Sequence, residues 1–316
     1  MRVLFWGTPE FAVPSLRAVL GEGHDVVGVV TQPDRPAGRG RGVRPSPIKA
    51  VAAEEGLPVL QPDKARGADF LAGVRDLAPE LSIVVAFGQI LPREVLELPP
   101  LGSLNVHASL LPELRGAAPI NYSILLGHER TGVTVMRMVE ALDAGPILHQ
   151  VTEPIGSEET ASDLTARLSE LGAEALIETL AMLELGGIEE RPQDDDAATY
   201  APRLTRASAH IDWTKHAVSV ARQIRALDEV PGAWAVWRDV ELKLYRPQLS
   251  EDETDAPATE PGTVLRTTPG DPARGMLVQC GGGALWLREV KPAGKRRMAT
   301  AEWLHGRAPE AGDRLQ

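Results

Sequence analysis

Asn105 and His107 are the residues whose type and spacing point most directly to chemistry. They end an apolar run, Leu101 to His107, which is typical of a β-strand, and alternate side chains of a strand point to opposite faces. Leu104 and Val106 can therefore face the core while Asn105 and His107 share the other face. Their backbones would lie about 6 to 7 Å apart, close enough for both side chains to engage one small group.

Asp143 is the third candidate, although an ordinary turn aspartate explains it equally well from sequence alone. An amine that attacks a carbonyl creates a negatively charged oxygen and an ammonium proton. Asn105 and protonated His107 would stabilise the oxygen. Asp143 would hold His107 charged and accept the proton directly or through water. These residues predict acyl transfer to an amine without a serine or cysteine nucleophile.

Other catalytic chemistries find less support in the sequence. A histidine is more often structural or merely exposed than catalytic, so we assign no chemistry to the remaining six: His24, His128, His149, His210, His216 and His305. No His/Cys cluster has familiar metal-ligand spacing, and we expect no metal. Gly7 follows a strand but lacks the partners of a G-x-G-x-x-G dinucleotide motif.

Alternating strand and helix patterns must position these residues. The strand-like runs are Val3 to Trp6, His24 to Thr31, Leu81 to Phe87, Leu101 to His107 and Val133 to Val139. Pro9 and Pro119 can each open a helix, and leucines from 164 to 183 indicate a longer one. This order predicts an α/β, Rossmann-like domain, residues 1–189, with a mostly parallel sheet and a ligand crevice beyond the carboxyl ends of the strands.

The pattern changes after residue 189. Residues 190–206 are polar and are predicted to be a linker, whose acidic run, Asp194 to Asp196, we expect to be merely solvated. Residues 207–316 then begin with a helix from Thr214 to Leu227. Short strands with turn signals follow, at Glu241 to Tyr245, Gly262 to Arg266, Met276 to Cys280 and Ala284 to Val290. They predict a smaller C-terminal β-barrel of the OB type, a fold that often binds nucleic acid.

Composition narrows the setting. Cys280 is the only cysteine, so no internal disulfide can form, and no run approaches the roughly 18 apolar residues of a membrane span. We expect a cytoplasmic protein that is monomeric and does not contact a membrane. The net charge is −11, yet five basic groups cluster between residues 35 and 49 and could attract a polyanion: Arg35, Arg39, Arg41, Arg44 and Lys49.

Two motifs around the candidate site carry a family resemblance. The runs SLNVHASLLPELRGAAPI, from Ser103, and ALDAGPI, from Ala141, resemble the formyltransferases that use 10-formyltetrahydrofolate. The resemblance implies that Asn105, His107 and Asp143 are the catalytic residues. It also implies a folate site made of Ser109, Leu110, Leu111 and Pro112, with a pterin pocket lined by Phe87, Gly88, Gln89, Ile90 and Leu91.

Further motifs resemble the members of this family that act on methionyl-tRNA. The loop TQPDRPAGRGRGVRPSPIK, from Thr31 to Lys49, is similar to their insertion loop, in which Arg39 matches a basic residue that places the methionyl end. YAPRLTRASAHIDW, PAGKRRM and GDRL are similar to their linker and C-terminal domain. The implied partner is methionyl initiator tRNA, contacted by Arg35, Arg39, Arg41, Arg44, Lys291, Lys295, Arg296 and Arg297. Asp228 and Glu229 depart from the family pattern, and their charge argues against RNA contact at that corner.

Three alternatives remain open from the sequence. A relative that formylates a small amine, such as a glycinamide ribonucleotide or an amino-sugar nucleotide, would share the three catalytic residues. It would not need the loop from Arg35 to Lys49, which we call the basic loop, or residues 207–316. A folate-dependent hydrolase would use water as the acceptor. A non-catalytic RNA-binding protein would have no need for Asn105, His107 and Asp143 together.

Overall fold

The structure, a computed structural model, describes residues 1–37, 42–251, 259–306 and 308–316. The contacts within the chain divide it into two compact units. The first unit consists of residues 1–119, 130–154 and 165–201, and the second consists of residues 120–129, 155–164 and 202–316.

Strands and helices alternate up to residue 201. In chain order they are β1 (Arg2–Gly7), α1 (Val13–Gly21), β2 (Asp25–Val30), β3 (Arg35–Ala37), β4 (Gly42–Arg44), α2 (Pro47–Glu54), β5 (Val59–Leu60), α3 (Ala68–Asp76), β6 (Leu81–Val85), α4 (Arg93–Leu96), β7 (Ser103–His107), β8 (Arg115–Gly116), α5 (Pro119–Leu126), β9 (Arg130–Arg137), β10 (Ile147–Pro154), α6 (Ala161–Glu184) and β11 (Tyr200–Ala201). A 3-10 turn, Glu10–Ala12, precedes α1, so the α-helix begins at Val13 rather than at Pro9.

The first unit is built on a seven-stranded sheet. Its five parallel strands lie in the order β5-β2-β1-β6-β7, and β9 and β10 complete it as an antiparallel edge beyond β7. The predicted Rossmann-like, mostly parallel sheet is therefore confirmed. β6, which is rich in apolar and β-branched residues, is buried along its whole length. This is expected where a parallel sheet is covered on both faces.

Two features of this sheet bear on the sequence prediction. All five residues of β7 are buried, so Asn105 and His107 lie on a covered face of a central strand. β10 was not predicted. Only its first two residues, Ile147 and Leu148, are buried, and the other residues of this edge strand are partly or fully exposed. Edge strands need only one apolar face, which weakens their signal in sequence.

The second unit is built on an antiparallel sheet. After residue 201 the elements are α7 (Ala217–Ala226), β12 (Trp234–Trp237), β13 (Val240–Leu249), β14 (Val264–Thr267), β15 (Met276–Gln279), β16 (Ala284–Pro292), β17 (Met298–Ala299) and α8 (Thr300–Trp303). The strand order is β12-β13-β16-β15-β14, with β17 beside β16. β12 was not predicted.

The last residues of the chain join the two edges of this second sheet. Val236 of β12 and Gln316 exchange backbone hydrogen bonds of 2.6 and 2.8 Å. Val264 of β14 donates its N–H to the Asp313 carbonyl at 2.8 Å. Residues 312–316 therefore bond to both edge strands, and the predicted OB-like barrel is confirmed.

Candidate active site

Asn105 lies where β7 is flanked by strands on both sides. In the sheet register it pairs with Val84 of β6 and Met136 of β9, which places it near the carboxyl end of a central strand. The residue is 9% exposed, and its side-chain amide forms no hydrogen bond with the residues that the structure describes. Buried amides are normally hydrogen-bonded, so this one is a candidate to bind a substrate atom.

His107 is buried at the end of the same strand and is held from two sides. Its Nε2 lies 3.0 Å from the Leu114 carbonyl oxygen, and its Nδ1 lies 3.8 Å from Asp143 Oδ2. A carbonyl can only accept, so Nε2 carries the hydrogen and donates it to Leu114. The ring therefore presents Nδ1 toward Asp143, at a separation longer than a direct hydrogen bond.

Asp143 is brought to His107 by a turn with unusual backbone geometry. Its φ of 49° lies in the left-handed region, and its Oδ2 accepts the Gly116 N–H at 2.8 Å. Gly116 has a φ of 118°, and a Cβ at that position would lie 2.8 Å from the Ala201 carbonyl oxygen. Only glycine fits this position without moving the backbone that holds Asp143.

The segment expected to bind folate, Ser109 to Pro112, is fixed to β9 and β10. The Ser109 hydroxyl donates to the Glu113 carbonyl at 2.6 Å. Thr134 of β9 donates to the Ser109 carbonyl at 2.7 Å and accepts the Leu111 N–H at 3.1 Å. Gln150 of β10 donates to the Leu111 carbonyl at 2.8 Å. Leu111 is buried, whereas Leu110 is only partly covered.

The segment from Phe87 to Leu91 combines two buried anchors with an open middle. Phe87 and Leu91 are buried in the core, and Gly88 between them has a φ of 87°. The Gln89 side chain accepts the Ala65 N–H at 3.0 Å, which fixes the segment to its neighbouring loop. Ile90 is 82% exposed, so it is the side chain of this segment that is free to contact a ligand.

The basic loop contains a two-stranded ribbon, β3 and β4. Arg35 and Arg44 lie directly opposite each other, and both are exposed without an ion-pair partner among the described residues. Arg39 and Arg41 lie outside the described residues. Lys49 instead supports the base of the loop, since its Nζ donates to Asp34 Oδ2 at 2.6 Å.

The basic residues near the end of the chain differ in their use. Lys291 and Lys295 form no ion pair within the described part of the chain. Arg296 forms an exposed pair with Glu302 at 2.7 Å. Arg297 is 30% exposed, and its Nε lies 2.6 Å from Glu289 Oε2.

Asp228 and Glu229, the two acidic residues that depart from the family pattern, both form ion pairs with Arg297. Arg297 Nη1 lies 2.9 Å from Glu229 Oε1 and 3.7 Å from Asp228 Oδ1. Its guanidinium also stacks over the Tyr245 ring, 4.0 Å from the centroid. Asp228 is buried, and desolvation raises the pKa of its carboxyl group, against hydrogen bonds from Ser162 that lower it. The Asp228 carboxyl group is therefore buried and faces Arg297 rather than the solvent.

Sequence reasoning missed residues 191–201. Gln193 donates to the carbonyl oxygens of Asp143 and Gly145 at 2.8 and 2.7 Å. The Thr199 hydroxyl accepts the Leu114 N–H at 2.9 Å. The acidic run is exposed as expected, but Asp195 also pairs with buried Arg115 at 2.8 Å, so this residue is not merely solvated. These residues follow Asn105 by about 90 positions in sequence, and no local pattern signals the contact.

Metal sites and membrane-spanning helices are both absent from the part of the chain that the structure describes. Within residues 1–37, 42–251, 259–306 and 308–316, no three histidine, cysteine, aspartate or glutamate side chains are grouped so that they could hold a metal ion. None of the helices described is both long and apolar enough to cross a membrane.

Comparisons with known proteins identify the family. Residues 1–180 match the family described as formyl transferase, and residues 203–308 match the formyl transferase C-terminal domain. The chain is 44% identical to the methionyl-tRNA formyltransferase of Geobacter sulfurreducens over 315 residues, which cover 100% of this chain and 96% of the relative. It is 46% identical to the enzyme of the same name from Symbiobacterium thermophilum, covering 100% and 95%.

A solved structure supports the fold. HypX from Aquifex aeolicus in complex with tetrahydrofolic acid matches with a TM-score of 0.63 and 20% identity, over 96% of this chain and 47% of that protein. That level of identity bears on the fold alone, whereas the two full-length relatives bear on the family. The chain belongs to the methionyl-tRNA formyltransferase family.

Proposed function

We propose that this chain transfers the formyl group of 10-formyltetrahydrofolate to the free amino group of methionyl initiator tRNA, in the cytoplasm. The observation that carries the proposal is the meeting of three residues at the end of β7. The Asn105 amide, which has no hydrogen-bond partner among the described residues, lies on the same strand as His107, and Asp143 reaches His107 from a separate turn. Full-length identity of about 45% to named methionyl-tRNA formyltransferases supports the choice of reaction.

The three residues divide the chemical work. The donor supplies an electrophilic formyl carbon, to which the uncharged methionine amine forms a new C–N bond. Asn105 donates a hydrogen bond to the formyl oxygen, where negative charge develops, and protonated His107 adds to this stabilisation. Asp143 takes the proton that the amine loses, directly or through a water, and the folate nitrogen gains a proton as its bond to the formyl carbon breaks.

The position of His107 refines its role. Its Nε2 hydrogen is committed to Leu114, so a second proton can only reside on Nδ1. That proton would lie in the 3.8 Å gap facing Asp143 Oδ2. This separation is longer than a direct hydrogen bond, so the N–H at Nδ1 is not committed to Asp143 and can be donated to the reacting group.

Ser109 to Pro112 and Phe87 to Leu91 are the segments we assign to the folate. They fit the role of rigid walls, because each is bonded to neighbouring strands or loops, and partly covered Leu110 and exposed Ile90 are their contact side chains. The formyl donor is written as a co-substrate, and no metal takes part in the proposal.

We assign tRNA contact to the basic loop and to the basic residues of the C-terminal domain, residues 207–316, which follow the catalytic domain 1–189 and the linker 190–206. Like charges directly opposite on paired strands destabilise a ribbon, and Arg35 and Arg44 form such a pair. A phosphate between them would relieve that repulsion. Among the C-terminal residues, Lys291 and Lys295 are better candidates than Arg297, which is engaged by three carboxylates.

Transfer of a radiolabelled formyl group tests the proposal. We expect label from the folate to appear on methionyl initiator tRNA, with much less on methionyl elongator tRNA and none on amino-sugar nucleotides or glycinamide ribonucleotide. Formate release without any amine would instead favour the hydrolase. Binding of tRNA without any turnover would favour the non-catalytic RNA-binding protein.

A further inference from the structure

Residues 191–201, which we call the clamp segment, contact both partners of His107. The segment is attached at each end by backbone hydrogen bonds. Arg191 and Ile147 exchange bonds of 2.9 and 2.8 Å just after the Asp143 turn. At the other end β11 pairs in parallel with β8, which contains Gly116.

Both polar atoms of the Gln193 side chain form hydrogen bonds. Its Nε2 holds the Asp143 turn by donating to the carbonyl oxygens of Asp143 and Gly145 at 2.8 and 2.7 Å. Its Oε1 accepts from Arg115 Nε and Nη2 at 3.1 and 2.8 Å. Arg115 is 4% exposed, so this amide joins a buried cation to a turn whose Asp143 has a positive φ. A strained residue of this kind keeps its conformation only where its surroundings enforce it.

Thr199 fastens the other partner of His107. Its hydroxyl accepts the Leu114 N–H at 2.9 Å, and its carbonyl accepts the Arg115 N–H at 2.9 Å. Leu114, with a φ of 58°, is the residue whose carbonyl accepts the hydrogen of His107 Nε2. The two anchors of the imidazole are thus held by one short segment.

We propose that Gln193 is a positioning residue for Asp143, and that Thr199 supports it by fixing Leu114. The inference rests on the proposed function, because it concerns the geometry of the same site. The clamp segment sets the separation of His107 and Asp143. A shift of about 1 Å in a catalytic group can cost roughly 100-fold in rate.

Four variants test this inference in single-turnover formyl transfer. Gln193→Ala removes the donor and the acceptor, whereas Gln193→Glu keeps the acceptor for Arg115 and loses the donor to Asp143. Asp143→Asn supplies the background for a double variant. Asp196→Ala is the matched control, because Asp196 lies in the same segment, is exposed, and contributes only its backbone N–H to a hydrogen bond.

We expect Gln193→Ala and Gln193→Glu each to lower the single-turnover rate by about 10- to 100-fold, with the KM for both substrates nearly unchanged. In the Asp143→Asn background the Gln193→Ala change should cost less than about 2-fold, since the two act through one group. Asp196→Ala should match the parent protein. An equal cost of Gln193→Ala in both backgrounds, or a loss confined to KM, would overturn the inference.

Asn105→Ala, measured beside these variants, separates the two levels of the account. If Asn105→Ala keeps full activity, the proposed site itself fails. If Asn105→Ala is impaired while both Gln193 variants keep the parent rate, only the positioning role fails. Should Gln193→Ala fold poorly, the isosteric Gln193→Glu change carries the test.

Discussion

The surroundings of His107 and of Arg297 show two opposite uses of polar side chains. Around His107, Leu114 and Asp143 hold the ring from two other segments, and the Asn105 amide on the same strand is left without a protein partner in the described structure. Around Arg297, the guanidinium is engaged by Glu289, Glu229 and Asp228, and is stacked on an aromatic ring. The first arrangement keeps polar groups for a ligand, whereas the second consumes them in holding the fold.

This difference changes how the basic residues should be understood. Four cations between residues 291 and 297 look equivalent in sequence, and all four remain proposed tRNA contacts. Only Lys291 and Lys295 lack an ion pair within the described residues, and Arg296 has an exposed one. A cation without an ion-pair partner can neutralise a phosphate and release the counterions of the nucleic acid. A cation that is already paired with carboxylates contributes less to tRNA affinity.

Replacement of His107 should give the largest effect at the catalytic side of the comparison. His107→Ala is expected to lower single-turnover formyl transfer by about 10²- to 10⁴-fold, as loss of a positioned acid or base does. The matched control is His305→Ala, since His305 is exposed and belongs to the other unit. A loss of substrate affinity with no loss of single-turnover rate would contradict the catalytic role.

Gly116→Ala tests whether backbone geometry holds Asp143. The new Cβ would meet the Ala201 carbonyl, and the φ of 118° disfavours any side chain. We expect the free energy of unfolding to fall by about 1 to 3 kcal/mol, together with slower transfer. In the control, Gly73→Ala in α3, a Cβ has open space, and stability should rise by roughly 0.5 to 1 kcal/mol. Denaturant titration measures both, and equal effects of the two changes would refute the argument.

Arg297→Ala and Lys295→Ala sharpen the other side of the comparison. Arg297→Ala should lower the free energy of unfolding by about 1 to 2 kcal/mol, because partly exposed carboxylates lose their partner. Lys295→Ala should leave stability unchanged and reduce the slope of log affinity for tRNA against log salt by about 1. If Arg297→Ala changes the salt dependence of tRNA affinity more than Lys295→Ala does, the assignment of Arg297 to the fold and of Lys295 to tRNA contact is contradicted.

Asp228 provides the smallest predicted effect, a pH dependence of stability. Desolvation raises the pKa of this carboxyl in the folded state, so folding favours its protonated form. Its contribution to stability is complete below the unfolded pKa and is lost as pH rises through the folded pKa. Asp228→Asn should therefore gain stability relative to the parent protein from acid to neutral pH, measured by unfolding at each pH. A stability difference that is constant with pH would contradict this.

The sequence predicted the framework well where a single local signal was sufficient. β6 is apolar except for Ser82, which is typical of a strand covered on both faces, and the polar pair at the end of β7 is separated by a single residue. Pro119 marked the start of α5 correctly, because proline fits the first turn of a helix. β10 and β12 gave no such signal, since polar and apolar side chains mix along β10 and β12 is an apolar run of only four residues.

The contacts between distant residues could not be predicted in the same way. Gln193 reaches Asp143 across 50 positions, and Thr199 reaches Leu114 across 85. Hydrogen bonds of this kind depend on where the fold places two backbones, whereas composition describes only local preferences. The segment looked like a solvated acidic linker because its charges are exposed, although the Gln193 amide and the Thr199 hydroxyl form hydrogen bonds to the Asp143 turn and to Leu114.

The most direct test of the central claim is the single-turnover rate of labelled formyl transfer from 10-formyltetrahydrofolate to methionyl initiator tRNA, compared between the parent chain and Asn105→Ala. The parent chain should form N-formylmethionyl-tRNA. Asn105→Ala should be slower by about 10²- to 10³-fold, as expected for loss of a donor to the developing oxyanion, with folding and folate affinity retained. Full activity of Asn105→Ala, or no transfer by the parent chain, would contradict the account.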